Sequence, residues 1–155
     1  MLSQFCHQHQ QCVDDALAKA QMICDDQKVS LTPLRKKVLK LIWEAGHSAT
    51  KAYDLLESLK SDDPSAKPVT IYRALDFLLS NGLVHKIESH NSFIGCSHPT
   101  RQHNCAFLIC NQCGSIQECC DDGAMMDTIK TNIDSTSFQI HNITLEIQGI
   151  CLECS

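Results

Sequence analysis

The chain has 155 residues, eleven cysteines and a formal net charge of −5. This length fits one ordinary domain or two small ones, and small domains often need a metal or a partner subunit for stability. No apolar run approaches the ~18 residues of a membrane span. The N-terminus also lacks the basic and apolar regions of a secretion signal. We therefore expect a cytoplasmic protein without membrane contact, in which clustered cysteines bind metal more often than they form disulfides.

The charge is distributed unevenly along the chain. Residues 1–88 carry 11 Lys or Arg and 11 Asp or Glu, whereas residues 89–155 carry 2 and 7. Within the first part, residues 28–40 hold five basic side chains and no acidic one. Taken alone, such a run is more often a solvated helix face than a nucleic-acid surface. It indicates DNA binding only together with a second signal.

Apolar residues at helical spacing predict three helices in the first 60 residues. The first covers residues 13–26. The second begins with Thr32 as N-cap and Pro33 in the first turn, and it stops at Gly46. The third covers residues 50–60 and is followed by an acidic, proline-containing loop.

A fourth helix begins at Pro68 and ends at Asn81-Gly82. Two short apolar stretches then flank the polar turn "SHNS" within residues 83–96, a pattern typical of a β-hairpin. Helices followed by a hairpin predict a winged helix-turn-helix domain over residues 1–96, with residues 1–12 flexible.

In such a domain the fourth helix enters the major groove of DNA. Its apolar face is formed by Ile71, Leu75 and Leu78, so the other face is predicted to meet DNA. The predicted DNA-contacting residues are Arg35, Lys36, Lys67, Thr70, Tyr72 and Arg73.

The second part of the chain predicts a small α/β unit over residues 105–155, after a polar connection at residues 97–104. A compact apolar run at 105–110 indicates a buried strand, and alternation in "ITLEIQGI" indicates another. A helix is predicted between them over residues 123–134, capped by Asp121 or Asp122.

Two Cys-x-x-Cys pairs stand at the two ends of this unit, as "CNQC" and "CLEC". Four thiolates from two tight turns suit one tetrahedral zinc ion. A redox dithiol or buried thiols are the alternatives, although a second copy of the pair argues against a redox site. The spacing favours a structural zinc site at Cys110, Cys113, Cys151 and Cys154.

Five sequence motifs indicate a protein family. They are "LTPLRKKVL", "AYDLL", "KPVTIYRALDFLLSNGLVHKIES", "FLICNQCG" and "GICLEC". On them the chain resembles the ferric uptake regulator family of metal-dependent repressors, and especially its zinc uptake branch. The resemblance implies an α+β protein with an N-terminal winged-helix domain and a C-terminal α/β dimerisation domain. It also implies a homodimer that binds an inverted-repeat operator in double-stranded DNA and represses zinc import genes, with zinc as corepressor.

The same resemblance implies a second, regulatory zinc site between the domains, and hence two zinc ions per subunit. Its ligands would be His85, Cys96, His103 and Glu118. A thiolate among nitrogen and oxygen ligands favours zinc over iron or manganese.

Several alternatives stay open at this point. An iron, manganese or peroxide sensor would use the same scaffold, and a thiol oxidoreductase or a zinc-ribbon adaptor would use the Cys-x-x-Cys pairs differently. The sequence shows no catalytic constellation, so we expect no enzyme. Cys105, Cys119 and Cys120 are interpreted as core or surface thiols.

Overall fold

The computed structural model describes residues 9–99, 105–120, 123–133, 137–139 and 143–155. The chain divides into two compact units, Met1–Thr100 and Arg101–Ser155. The point of division falls inside residues 97–104, the connection that the sequence predicts. Helices and small sheets occur in both, which confirms the α+β class. Within the described ranges, no helix combines the length and the apolar character needed to cross a bilayer.

The first unit contains four helices and a small antiparallel sheet. The 3-10 turn Glu88–His90 and Asn91, which has a φ of 46°, connect the two strands of the hairpin. The sheet order is β1-β3-β2. This arrangement confirms the winged helix-turn-helix prediction. Its elements are α1 (His9–Asp26), α2 (Pro33–Glu44), β1 (Thr50–Lys51), α3 (Ala52–Lys60), α4 (Pro68–Ser80), β2 (Val84–Ile87) and β3 (Ser92–Gly95).

The core of this unit forms where the apolar stripes of the helices meet. Burying one large aliphatic side chain contributes about 1.5–3 kcal/mol, so this cluster holds the helices in place. The side of α4 that the sequence predicts to face DNA is thereby fixed by what its other side buries. Members of the cluster on α2, α3 and α4 include Val38, Leu39, Ile42, Leu55, Leu59, Ile71, Leu75 and Leu78.

The ends of the helices follow the predicted signals. The Thr32 hydroxyl accepts a hydrogen bond from the Arg35 amide at 3.4 Å, with Pro33 as the first helical residue. At the end of α4, Gly82 has a φ of +66°, and the Leu83 amide donates to the Leu78 carbonyl at 2.9 Å. Glycine adopts this left-handed conformation without steric cost, so the chain turns directly into the hairpin.

Two boundaries differ from the prediction. Helix α1 begins at His9 rather than 13, so the last residues of the segment predicted to be flexible are helical. The Gln10 and Gln11 amides donate to Asp14 and Asp15 four residues on, which stabilises this first turn. Strand β1 replaces the predicted first turn of the third helix, because Thr50 and Lys51 pair with β3. Two residues are too few to show a strand period.

The second unit is a three-stranded sheet with one helix. It contains β4 (Cys105–Cys110), β5 (Ile116–Cys120), α5 (Ala124–Ile133) and β6 (Leu145–Gly149). The order is β5-β4-β6, with β4 antiparallel to β5 and parallel to β6. Strand β5, "IQECC", was not predicted from the sequence. The predicted cap at Asp121 or Asp122 lies outside the described residues.

Candidate metal centre and nucleic-acid interface

The parallel pairing of β4 and β6 brings the two Cys-x-x-Cys pairs together. Cys110 is the register partner of Gly149, so both strands end at the same edge of the sheet. The Asn111 amide donates to the Gly149 carbonyl at 2.8 Å, which fixes the two turns side by side. The Sγ atoms of the four cysteines all lie within 4.8 Å of one another. We call Cys110, Cys113, Cys151 and Cys154 the four-cysteine cluster.

The geometry of the cluster fits zinc. A tetrahedron with Zn–S bonds of about 2.3 Å places its sulfurs roughly 3.8 Å apart. The Sγ atoms of Cys113 and Cys151 are 3.7 Å apart. Gly114 has a φ of +72°, and its amide donates to the Cys110 carbonyl at 2.9 Å, closing the tight turn that carries Cys113. Four sulfurs leave no open position, so the cluster suits a structural ion rather than a catalytic one.

The surroundings of the sulfurs favour a cation. Backbone amides, first that of Cys113 and then that of Cys151, lower the pKa of Cys110 to about 6. The Ser115 hydroxyl, 3.1 Å from the Cys113 sulfur, lowers the pKa of Cys113. Cys151 and then Cys113 share the proton of Cys154 and raise its pKa to about 12. The thiolate of Cys110 is thus favoured, and the cluster releases the protons of its other thiols when a metal replaces them.

Two of the residues assigned to the regulatory site share one face of the hairpin. His85 lies on β2, and Cys96 directly follows β3 with 2% exposure. The Cys96 amide donates to the Leu83 carbonyl at 3.1 Å, which continues the ladder by one pair. Because Leu83 and His85 are two residues apart on a strand, Cys96 and His85 project to the same side. Glu118 lies on β5 of the second unit, and His103 lies outside the described residues.

Helix α4 presents a polar and aromatic face opposite its buried stripe. Tyr72 has 53% exposure, Arg73 is exposed and Thr70 is half-buried. Lys67 is the exposed N-cap residue of the same helix. A helix N-terminus favours phosphate, so this end of α4 suits a polyanion.

Arg35 has partners within the protein. Its guanidinium carbon lies 3.7 Å from the centre of the Phe77 ring on α4. Its Nη1 donates to the Ser30 carbonyl at 2.6 Å. The contact with Phe77 joins α2 to α4, whereas the sequence predicts DNA as the partner of Arg35. Lys36, the next residue, is exposed.

Sequence reasoning missed two exposed side chains on the same unit. Tyr53, at the start of α3, has 68% exposure, and Val69, at the start of α4, has 54%. The exposure of Tyr53 could have been predicted from the sequence, because Leu55 and Leu59 define the buried face of α3 and leave Tyr53 outside it. Exposed aromatic side chains beside a recognition helix are suited to contact the sugar-phosphate backbone.

Cys105 and Cys120 are joined by a disulfide, whereas the sequence predicts free thiols at both positions. The reason is the strand register, in which the two residues are direct partners across β4 and β5. The prediction missed this because it did not include β5. Cys119, on the opposite face of β5, is an exposed free thiol.

Residues 26–148 match the ferric uptake regulator family. The zinc uptake regulation protein of Escherichia coli (strain K12) is 42% identical over 143 residues, covering 90% of this chain and 81% of the relative.

Two solved structures are similar along most of the chain. A zinc uptake regulator complexed with zinc and DNA has a TM-score of 0.85 and 40% identity, covering 92% of this chain and 94% of that one. Holo XcZur has a TM-score of 0.81 and 38% identity, covering 89% and 95%. With its winged-helix unit and its four-cysteine cluster, the chain belongs to the ferric uptake regulator family.

Proposed function

We propose that this protein is a zinc-sensing transcriptional repressor of zinc uptake genes, with zinc as corepressor. The observation that carries the proposal is the outward Tyr72–Arg73 face of α4 on a winged-helix unit. The E. coli zinc uptake regulation protein, at 42% identity, supports zinc import as the regulated process. Because its target is DNA, the protein acts in the cytoplasm of a bacterial cell.

Arg73 is the base-reading residue in this proposal. An arginine in the major groove donates two hydrogen bonds to the O6 and N7 atoms of guanine. Tyr72 packs beside it, with Thr70 at the same surface. Lys36, Lys67 and Tyr53 contact the backbone, which fixes the register but carries no sequence information.

Arg35 acts on DNA binding indirectly, through the position of helix α4. Its contact with Phe77 holds α2 against α4, and its hydrogen bond to the Ser30 carbonyl fixes the guanidinium group. We therefore assign it the positioning of the recognition helix. Any contact that Arg35 makes with phosphate adds to this role.

The four-cysteine cluster holds one zinc ion permanently. It ties the end of β4 to the end of β6, its neighbour in the sheet of the C-terminal unit. Residues 105–155 serve as the dimerisation domain. A dimer suits an inverted repeat, because each winged helix reads one half-site in successive major grooves.

A second zinc ion acts as the regulator. Its proposed ligands are His85 and Cys96 from the hairpin, His103 from the connection (residues 97–104), and Glu118 from the C-terminal domain. When bound, the ion supplies a bond between the two domains and so restricts the separation of the two recognition helices. The buried thiol of Cys96 favours zinc over iron and manganese.

A direct test uses the purified full-length protein and a fluorescent inverted-repeat duplex from a zinc uptake promoter. Metal analysis should give one zinc per subunit after mild chelation and two after zinc is added back. Operator binding should then increase as the second zinc ion binds, and iron(II) or manganese(II) should increase it only weakly. Equal binding with all three metals would contradict zinc sensing. Binding that needs no added metal would contradict the sensor altogether.

A further inference from the structure

Cys105 and Cys120 form a linked pair that lies outside the four-cysteine cluster. They face each other in the antiparallel ladder of β4 and β5, with their Cα atoms 4.4 Å apart. This separation is typical of a non-hydrogen-bonded pair, in which the side chains approach closely. The strands therefore hold the two sulfurs together in the thiol form and in the disulfide form alike.

The disulfide joins two strands that already pair with each other. A crosslink stabilises mainly by restricting the unfolded chain, and it restricts more when the loop is long. Here the two residues are only 15 positions apart, and β4 and β5 already pair from Cys105↔Cys120 to Ile109↔Ile116. In the cytoplasm, disulfides of this kind are usually transient and serve catalysis or sensing.

The two sulfurs differ in access. Cys105 has 6% exposure, whereas Cys120 is exposed at the end of β5. Susceptibility to oxidants follows exposure, and a sensing cysteine stands next to a resolving one. Cys120 is thus placed to react first and Cys105 to resolve the product.

The Cys105–Cys120 pair lies next to the carboxylate of Glu118, a proposed zinc ligand. Glu118 Oε1 lies 3.3 Å from the Cys105 sulfur and 3.4 Å from the Cys120 sulfur. Glu118 and Cys120 are two residues apart on β5, so they share one face of the sheet. A thiol has a hydrogen to donate to this oxygen, and a disulfide sulfur has none. The redox state of the pair therefore changes the hydrogen-bond donors available to Glu118.

We propose that Cys105 and Cys120 are a reversible thiol–disulfide site, oxidised by hydrogen peroxide, that controls the zinc affinity of Glu118 and its fellow ligands. The control of zinc rests on the proposed function, in which Glu118 is a regulatory ligand. The redox chemistry of the pair does not depend on it.

The reaction is balanced as follows. The Cys120 sulfur attacks one peroxide oxygen, the O–O bond breaks, and the leaving hydroxide takes a proton to form water. The Cys105 sulfur then attacks the resulting sulfenic acid, the S–S bond forms and the S–O bond breaks. The departing hydroxide takes the remaining thiol proton to form a second water. A dithiol reductant reverses the change through a mixed disulfide.

The direction of the effect follows from the contacts of Glu118. In the thiol form, two S–H groups donate hydrogen bonds to its carboxylate and orient it. Hydrogen-bond partners of metal ligands commonly have this role. Loss of such partners typically weakens metal binding about 10- to 100-fold. Disulfide formation therefore weakens regulatory zinc binding by at least about 10-fold, and peroxide releases the protein from the operator.

The test begins with full-length protein that is reduced, zinc-loaded at the four-cysteine cluster and exposed to graded hydrogen peroxide. Free thiols are alkylated, and mass spectrometry of the digest identifies linked peptides. Wild type and Cys119→Ser should yield a Cys105–Cys120 link that dithiothreitol removes, while the cluster cysteines stay unoxidised. Cys120→Ser should yield no such link. Failure of wild type to form the link, or a link that dithiothreitol cannot reduce, overturns the proposal without reference to DNA.

Zinc affinity is then measured by competition with a fluorescent chelator before and after peroxide. Wild type and Cys119→Ser should lose at least about 10-fold in regulatory zinc affinity, whereas the affinity of Cys120→Ser should not respond to peroxide. A reversible link with unchanged zinc affinity overturns the control of Glu118. If the reduced protein binds zinc at this site but never binds DNA, the proposed function fails and the redox site stands.

Discussion

At the scale of single residues, the proposed DNA readout depends on Arg73. We expect Arg73→Ala to lose about 1–3 kcal/mol of operator binding and to relax base preference at one position in each half-site. Lys67→Ala is the comparison, because a phosphate contact should weaken all sequences alike and reduce the salt slope by about one. Fluorescence anisotropy with operator and scrambled duplexes measures both. An unchanged ratio between the two duplexes in Arg73→Ala would show that another element reads the bases.

Gly95 permits the close approach of the hairpin to α2. A Cβ built on Gly95 would collide with the indole ring of Trp43. Gly95→Ala should therefore destabilise the winged-helix unit by about 1–3 kcal/mol, as overpacking does. The matched control is Gly149→Ala on β6, where a Cβ meets nothing within 4 Å. Urea denaturation measures the free energy of unfolding of both variants. If Gly95→Ala were as stable as Gly149→Ala, Trp43 would move aside without cost.

At the scale of elements, the four-cysteine cluster joins β4 to β6. Cys113→Ser should release the structural zinc and with it the binding free energy that supports the C-terminal unit, on the order of 10 kcal/mol. Zinc content and dimer dissociation should change together. Cys119→Ser removes an exposed thiol outside the cluster and should change neither. A zinc-poor Cys113→Ser protein that remains a folded dimer would contradict the structural role.

The same cluster predicts a pH dependence. In the metal-free form the pKa of Cys154 is raised to about 12, so this thiol holds its proton at neutral pH. Zinc must displace that proton, and its affinity should therefore fall as the pH is lowered from 8 towards 6. Calorimetry in buffers of different ionisation enthalpy measures the protons released. Zinc binding without proton release would show that the thiols are already ionised.

Sequence and structure agree where a local signal determines the element. Thr32 and Pro33 start α2 and Gly82 ends α4, because caps and turns act through neighbouring residues. The sequence does not predict β1 or β5. Strand β1 has two residues and pairs with the distant β3, whereas β5, "IQECC", lacks the apolar–polar alternation that indicates a strand. The Cys105–Cys120 bond depends on the register of β5 and was missed with it. The cluster was predictable from the spacing of its cysteines, whereas the contact of Arg35 with Phe77 depends on how α2 packs against α4.

At the scale of the whole molecule, zinc is the proposed link between sensing and DNA binding. By thermodynamic reciprocity, operator DNA should tighten regulatory zinc binding by the same factor as zinc tightens operator binding. This coupling needs the hairpin ligands, His85 and Cys96, and the C-terminal ligand, Glu118, to act on one ion. The winged-helix units of the dimer then reach major grooves about 34–36 Å apart.

The most direct measurement is a zinc titration of operator binding, followed by anisotropy, with wild type and Cys96→Ser. Serine's neutral hydroxyl is a much poorer zinc ligand than a thiolate. We expect Cys96→Ser to keep its structural zinc and its dimer but to lose most of the zinc-dependent operator affinity, while Cys119→Ser follows wild type. Superimposable titration curves for wild type and Cys96→Ser would contradict zinc sensing at this site.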